Sequence, residues 1–405
     1  MRRPRHSGRR TAFGGNVSEW TAMAGTSLFV VPDEERAHAL AEALAQFGYP
    51  RVTARPTRPA PLDLDTVMEP TWTVTVLDEG PYPTDALGHR TYRAVVRQAT
   101  ALARQYGGFH RGGSQFGVSM VDHFDQDAPI TLINPGRRPP VPELVEIIEP
   151  PDATLALTPD DWEETEIDLS GLDDVDWAAL DHAHGSAEDI PDLIRGLAYE
   201  FEVWEEWTEI HSELFADNLL HQGTCYSATA PAMPFIAEML ASGGLPAVCR
   251  SYLYTDLVLA AGEWESSIVA RMRLGGGPVA AAWTDEVYQA VGAFVPALLA
   301  RWDFEPPANR YLLAFLAALY SRTEVADKVD AMADQFSDTK PGCYLRLAAA
   351  LLRGADDEAA EMSAGIAAWE DYDDGYMDVP DVGAAMQGRI TLTRGVLTTA
   401  YEESS

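Results

Sequence analysis

"LLHQGTCYSATAPAMPF", residues 219–235, sets a histidine, a glutamine, a threonine, a cysteine and a tyrosine side by side between two apolar runs. It reads either as a catalytic cluster or as the tight corner where one helix hands over to the next. As chemistry, His221 and Cys225 stand four apart and could pair as imidazole and thiolate. Gly223 interrupts any helix between them, and no third residue is placed to orient the pair. His182 and His184 form an H-x-H that, with His221, offers three zinc donors. Helical zinc sites instead space their ligands as in H-E-x-x-H, and that spacing is missing.

The structural reading accounts for more of the residues. Gly223 permits a left-handed residue at a helix end. Thr224, Ser227 or Thr229 can cap the next helix, and Pro231 falls in its first turn, where a missing N–H costs nothing. His221 and Gln222 are then expected to bond backbone groups left over at the corner. The stretch reads as a hinge, with His221, Gln222, Gly223, Thr224 and Tyr226 as corner or interaction residues. No catalytic, cofactor-binding or metal-ligating residue is assigned.

Outward from this corner, the chain from residue 173 to about 402 is helical nearly throughout. "WAALDHAHGSAEDIPDLIRGLAYE" (177–200) reads as a helix, a Gly–Ser break and a second helix with Ser186 as its N-cap. "FEVWEEWTEIHSELFADNLL" (201–220) reads as one continuous helix. In "NRYLLAFLAALY" (309–320), Leu312, Phe315, Leu316 and Leu319 make one apolar stripe. Segments of this length broken by Gly, Pro or Asp suit stacked helix pairs, although no strict repeat period is present. The tryptophans at 204, 207, 264, 283 and 302 read as core or helix-interface residues.

Residues 27–122 carry a different periodicity. "SLFVV" (27–31) is a short β-type run. In the "DEERAHALAEALAQFG" that follows shortly after, Ala37, Leu40, Ala41 and Leu44 share one helical face and Gly48 closes the helix. "YPRVTARPTRP" (49–59) reads as an edge strand, where proline is tolerated. "TWTVTVL" (71–77) alternates Trp72, Val74 and Val76 with Thr71, Thr73 and Thr75, as a half-buried strand does. "HRTYRAVVRQATALARQYGG" is a second helix with Tyr92, Val95, Val96, Ala99 and Leu102 inward. "GGFHRGG" (107–113) reads as a turn into a last strand. The order βαββαβ is that of an α+β ferredoxin-like domain. Between the two regions, residues 123–172 are rich in proline and acid and read as a linker, with pieces such as "ITLI" free to pack on either side. Residues 1–26 read as an extension that is disordered or not genuine coding sequence, Met23 being the preferred start over Met1.

Charge is the extreme feature of the composition. The chain has 63 acidic and 29 basic residues, a formal net charge of −34. Such a field repels nucleic-acid phosphates and anionic membranes, so neither is expected as a direct partner. It attracts a basic protein by the same electrostatics. Three widely spaced cysteines, Cys225, Cys249 and Cys343, form neither a disulfide framework nor a CxxC metal signature. A reducing, cytoplasmic setting fits, and no apolar run is long enough to suggest a membrane span.

The short strand followed by "PDEE", the helix closing in "FGY", the strand "TWTVTV" and the helix ending "LARQYGGFHRGG" together resemble the RraB family, regulators of ribonuclease E activity. That resemblance implies the ferredoxin-like fold and a ribonuclease as partner. "DHAHGSAEDIPDLIRGL" and "LLHQGTCYSATAPAMPFIAEML" resemble a group of bacterial HEAT-like, armadillo-type helical proteins, which implies an all-α solenoid and no reaction. The expectation is a non-enzymatic cytoplasmic regulator that binds another protein without a cofactor. The partner is a ribonuclease or, in an immunity-type role, a basic toxin. The alternative of another class is a metal- or thiol-dependent enzyme centred on His221 and Cys225.

Overall fold

The computed structural model describes residues 21–57, 71–123, 128–143, 149–157, 165–199, 201, 203–273, 279–369 and 382–402. The chain divides near residue 146 into two compact units.

The first unit is a five-stranded antiparallel sheet with two helices. Strands β1 (Met23–Val31), β2 (Arg51–Pro56), β3 (Trp72–Tyr82), β4 (Phe109–Gly117) and β5 (Ile130–Ile133) lie in the order β4-β1-β3-β2-β5. Helix α1 (Glu34–Phe47) starts at Asp33, whose carboxylate accepts the Arg36 N–H at 2.9 Å. Helix α2 (Ala86–Arg104) starts likewise at Asp85, which accepts the Gly88 N–H at 2.8 Å. Leu40 and Leu44 of α1 and Val95 and Ala99 of α2 pack on Phe29, Val52, Val74 and Val76 of the sheet. Burying such side chains contributes about 1.5–3 kcal/mol each, and this is what holds the unit together.

Four expectations change here. β1 begins at Met23, which is buried, so residues 23–26 belong to the sheet rather than to an extension; residues 1–20 lie outside the described residues. β2 is not an edge strand. "ITLI", read within the linker, is β5 and pairs with Arg51–Ala54. Pro56 is tolerated because it lies beyond the last β5 pair, so no ladder bond is asked of its nitrogen on that side. Thr73 and Thr75 are buried as well as Val74 and Val76, and the Thr73 hydroxyl is satisfied by that of Thr57 at 2.8 Å. The glycines of "RGG" lie inside β4, beside a shift in its register against β1 that leaves Arg111 as the extra residue, not in the turn. A Cβ on Gly113 would stand 2.1 Å from the Thr26 carbonyl oxygen, so β1 can approach only a glycine there.

The second unit is mostly helical. Its elements are a hairpin of β6 (Asp181–His182) and β7 (Gly185–Ser186), then α3 (Ile190–Tyr199), α4 (Trp204–Ser212), α5 (Thr229–Ser242) and α6 (Ala247–Arg273). The further helices among the described residues are α7 (Ala282–Ala300), α8 (Pro307–Leu319), α9 (Ala326–Gln335), α10 (Lys340–Arg353), α11 (Asp356–Trp369) and α12 (Ala384–Glu402). α5 packs on α7 and α3, while α10 packs on α8, α9, α11 and α12. α8 carries no single stripe. Every residue from Tyr311 to Leu319 is buried, as in a helix surrounded on all sides. The later part of the stretch read as a linker packs on this unit. Ile167 is buried, and Lys340 holds Glu149 at 2.8 Å and Asp152 at 3.0 Å.

Candidate functional site

The two most distinctive stretches of the helical unit meet at one place. Residues 177–186 are not the expected helix; a 3-10 turn at Trp177–Ala179 leads into the β6–β7 hairpin. Gly185, at φ +127°, reverses the chain there. The hairpin is tied to the corner by backbone and hydroxyl bonds. The Asp181 N–H donates to the Ser227 hydroxyl at 2.8 Å, the Ala228 N–H to the Asp181 carbonyl at 3.1 Å, and the Ala183 N–H to the Asn218 carbonyl at 3.2 Å. Ser186 is therefore not the cap of α3. Asp189, just before that helix, receives the His182 ring instead, Nε2 to Oδ1 at 3.2 Å.

Residues 201–220 also break from expectation. α4 ends at Ser212 and the chain continues as a π-helical turn over Glu213–Leu219. The Leu220 N–H reaches back five residues to the Phe215 carbonyl at 2.8 Å. Such widened turns occur mostly as short pieces and often at functional sites. The inner face of α4 is anchored. Trp207 is fully buried, and the His211 ring meets the Asp256 carboxylate of α6 at 2.6 Å. Burial pushes the Asp256 carboxyl up, an effect the His211 ring opposes.

On the other side, Glu209, Ser212 and Glu213 border a cavity of about 490 Å³ together with Asp217, Asn218, Asp189, His182 and His184. His182 is held as one tautomer, its Nδ1 accepting the His184 N–H at 3.1 Å while Nε2–H faces Asp189. The structure brings His221 beside this group, its ring 5.3 Å from that of His184. His221 Nδ1–H donates to the Ala216 carbonyl at 3.1 Å. Gln222 lies in the 3-10 turn His221–Gly223, and its side chain is outside the described residues.

The remaining corner residues hold the backbone. Thr229 does not cap α5. Its hydroxyl accepts the Tyr226 N–H at 2.9 Å and donates to the Leu219 carbonyl at 2.8 Å, bracing the corner across ten residues. Thr224 is exposed and extended, with its N–H on the His221 carbonyl at 3.1 Å. Gly223 sits at φ +72°, and a Cβ there would meet only the Glu263 carboxylate, at 3.4 Å. The space is adequate and the backbone angle is not. Gly223→Val is expected to cost about 1–3 kcal/mol, since a β-branched residue is strained at positive φ. Chemical denaturation of the wild type and variant measures this, and an unchanged midpoint would show that the corner relaxes freely.

Burial, and secondarily the Glu263 charge, push the Cys225 thiol up to about 12. A nucleophilic cysteine needs the opposite shift. Among the described residues, no three His, Cys, Asp or Glu side chains are placed to hold a metal ion. Trp207 and Trp302 are buried as expected, whereas Trp204 and Trp283 are 38% and 45% exposed.

Sequence reasoning missed the acidic rim. One signal was available: Glu209, Glu213 and Asp217 recur every four residues, which puts like charges side by side on a helix and destabilises it. Among the described residues, no helix is long and apolar enough to cross a membrane. Compared with protein-family models, with characterised proteins and with solved structures, the chain matches none of them.

Proposed function

We propose that this protein is a non-enzymatic binding and regulatory module whose helical unit takes hold of a basic protein. One observation carries the reading. The cavity where the hairpin, the π-helical turn and α3 meet is lined by four carboxylates, Asp189, Glu209, Glu213 and Asp217, with no Lys or Arg among the described residues of its wall. In a chain of net charge −34 this concentrates a general field at one concave place, and fields of that kind steer and select cationic partners.

The finer fold readings support this role without adding chemistry. The order β4-β1-β3-β2 of the first unit fits a ferredoxin-like domain with β5 added at one edge, the scaffold that the RraB resemblance implies. α8, α10 and α12 pack in turn, with α9 and α11 also against α10, as in a HEAT-like stack of pairs. The contact of α8 with α12 departs from a strictly linear one. A ribonuclease and a basic toxin are both candidate partners, and the acidic cavity suits either.

The test is retention of a partner by the full chain. A basic protein from the source cells is expected to bind at low salt and to elute as ionic strength rises. Glu209→Gln/Glu213→Gln/Asp217→Asn is expected to weaken its binding by about tenfold or more while leaving the helical content unchanged. Retention equal in the wild type and this variant would overturn the reading.

A further inference from the structure

The geometry points to a specific occupant: we propose that the cavity seats the side chain of an arginine presented by the partner. This rests on the reading of the helical unit as a binder of a basic protein.

Acidic residues alone would not make a site. The independent observation is Asn218. It is 4% exposed, lines the same cavity, and its side-chain amide has no hydrogen-bond partner among the described residues. The rest of the residue is packed away, so its amide is fixed in place at the cavity wall, and a ligand that donates to its oxygen takes the place of solvent there. The π-helical turn Glu213–Leu219 is what places this amide on the wall together with Glu213 and Asp217.

The spread of the charges selects the ligand. No three of the acidic and imidazole groups converge on a single point, so a compact ion would meet only part of the wall. A guanidinium is wide and planar, with five N–H donors pointing outward in a fixed fork. It can face carboxylates on two sides and the Asn218 oxygen at once. A lysine ammonium is a strongly hydrated point charge that satisfies one side only. The site is an open groove of about 490 Å³ with exposed carboxylates at its rim, wide enough for an arginine side chain to lie along it.

The experiment titrates the full chain with N-acetyl-arginine methylamide and, separately, with the lysine compound, followed by NMR or calorimetry at low salt. Saturable binding of the arginine compound is expected, at least about fivefold tighter than the lysine compound. Glu213→Gln/Asp217→Asn is expected to weaken it by about tenfold, and Asn218→Leu by about threefold, with circular dichroism unchanged. Asp356→Asn/Asp357→Asn on α11 removes the same charge away from the cavity and is expected to leave it intact. Equal affinity for the two compounds, or binding indifferent to the cavity substitutions, overturns the proposal. If the arginine compound fails while a basic partner is still retained through the carboxylates, this inference alone falls. If neither binds, the functional reading falls with it.

Discussion

Glu305→Ala is expected to destabilise the helical unit by about 3–5 kcal/mol, the usual cost of removing one partner from a buried ionic cluster. The Glu305 side chain is completely buried between α7 and α8. Arg250 of α6 grips its carboxylate with two nitrogens, Nε at 3.0 Å from Oε1 and Nη2 at 3.0 Å from Oε2. Arg301 adds Nε at 3.0 Å, Asn309 its amide at 2.8 Å, and the Tyr254 hydroxyl a bond at 3.3 Å. Burial, then the Glu305 charge, hold the Tyr254 phenol well above its usual range, so it remains a donor. Removing the carboxylate would strand the Arg250 guanidinium, whose side chain is only 7% exposed. Arg301→Ala should cost less, because that side chain is 20% exposed and can turn to water. Urea unfolding followed by far-ultraviolet circular dichroism measures both. A loss below about 1 kcal/mol for Glu305→Ala would show that the cluster is worth no more than an exposed ion pair.

Glu263→Gln is expected to stabilise the protein, increasingly as pH rises from about 4.5 to about 8. Glu263 lies on α6 facing the corner, and burial pushes its carboxyl up to about 8. The folded chain therefore binds this proton more tightly than the unfolded chain, whose carboxyl keeps a value near 4.5. The group's contribution to stability is fully present below about pH 4.5 and is lost as pH rises through about 8. Above that, the partly buried carboxylate carries its charge at a cost to the fold of up to about 3–5 kcal/mol. Glutamine keeps the shape without the charge. The Cys225 thiol does not titrate in this window, since it stands near 12. The difference in unfolding free energy between variant and wild type should grow from near zero at pH 4.5 to several kcal/mol at pH 9. A difference that stays constant across that range would mean that Glu263 ionises as it does in water.

These two groups also mark where sequence reasoning stops. Arg250, Glu305 and Asn309 are ordinary polar residues at scattered positions, and no periodicity announces that they meet. Glu263 sits in a long helix whose sequence does not say which face is covered. The like-charged series Glu209, Glu213 and Asp217 was the one visible hint of the cavity, and it would have been read as a solvated face. Asn218 gave none, because its role depends on a π-helical turn that follows no local pattern.

What the sequence determined by itself was local. Apolar spacing placed α1 and α2 with their buried faces, since Leu40, Leu44, Val95 and Ala99 recur at the helical period and must face one core. The alternation of Trp72, Val74 and Val76 placed β3, and Gly223 gave the left-handed corner, because few other residues adopt that angle without strain. The tertiary structure decided everything that depends on a distant partner. β2 became an inner strand only because "ITLI" pairs with it from the stretch read as a linker. Residues 181–186 became a hairpin because Ser227 and the backbone of Ala228 and Asn218 take up its bonds. Ser186, expected to cap α3, lies in that hairpin for the same reason. Backbone and buried polar groups must all find partners, and where those partners come from 30 or more residues away, local pattern cannot name them.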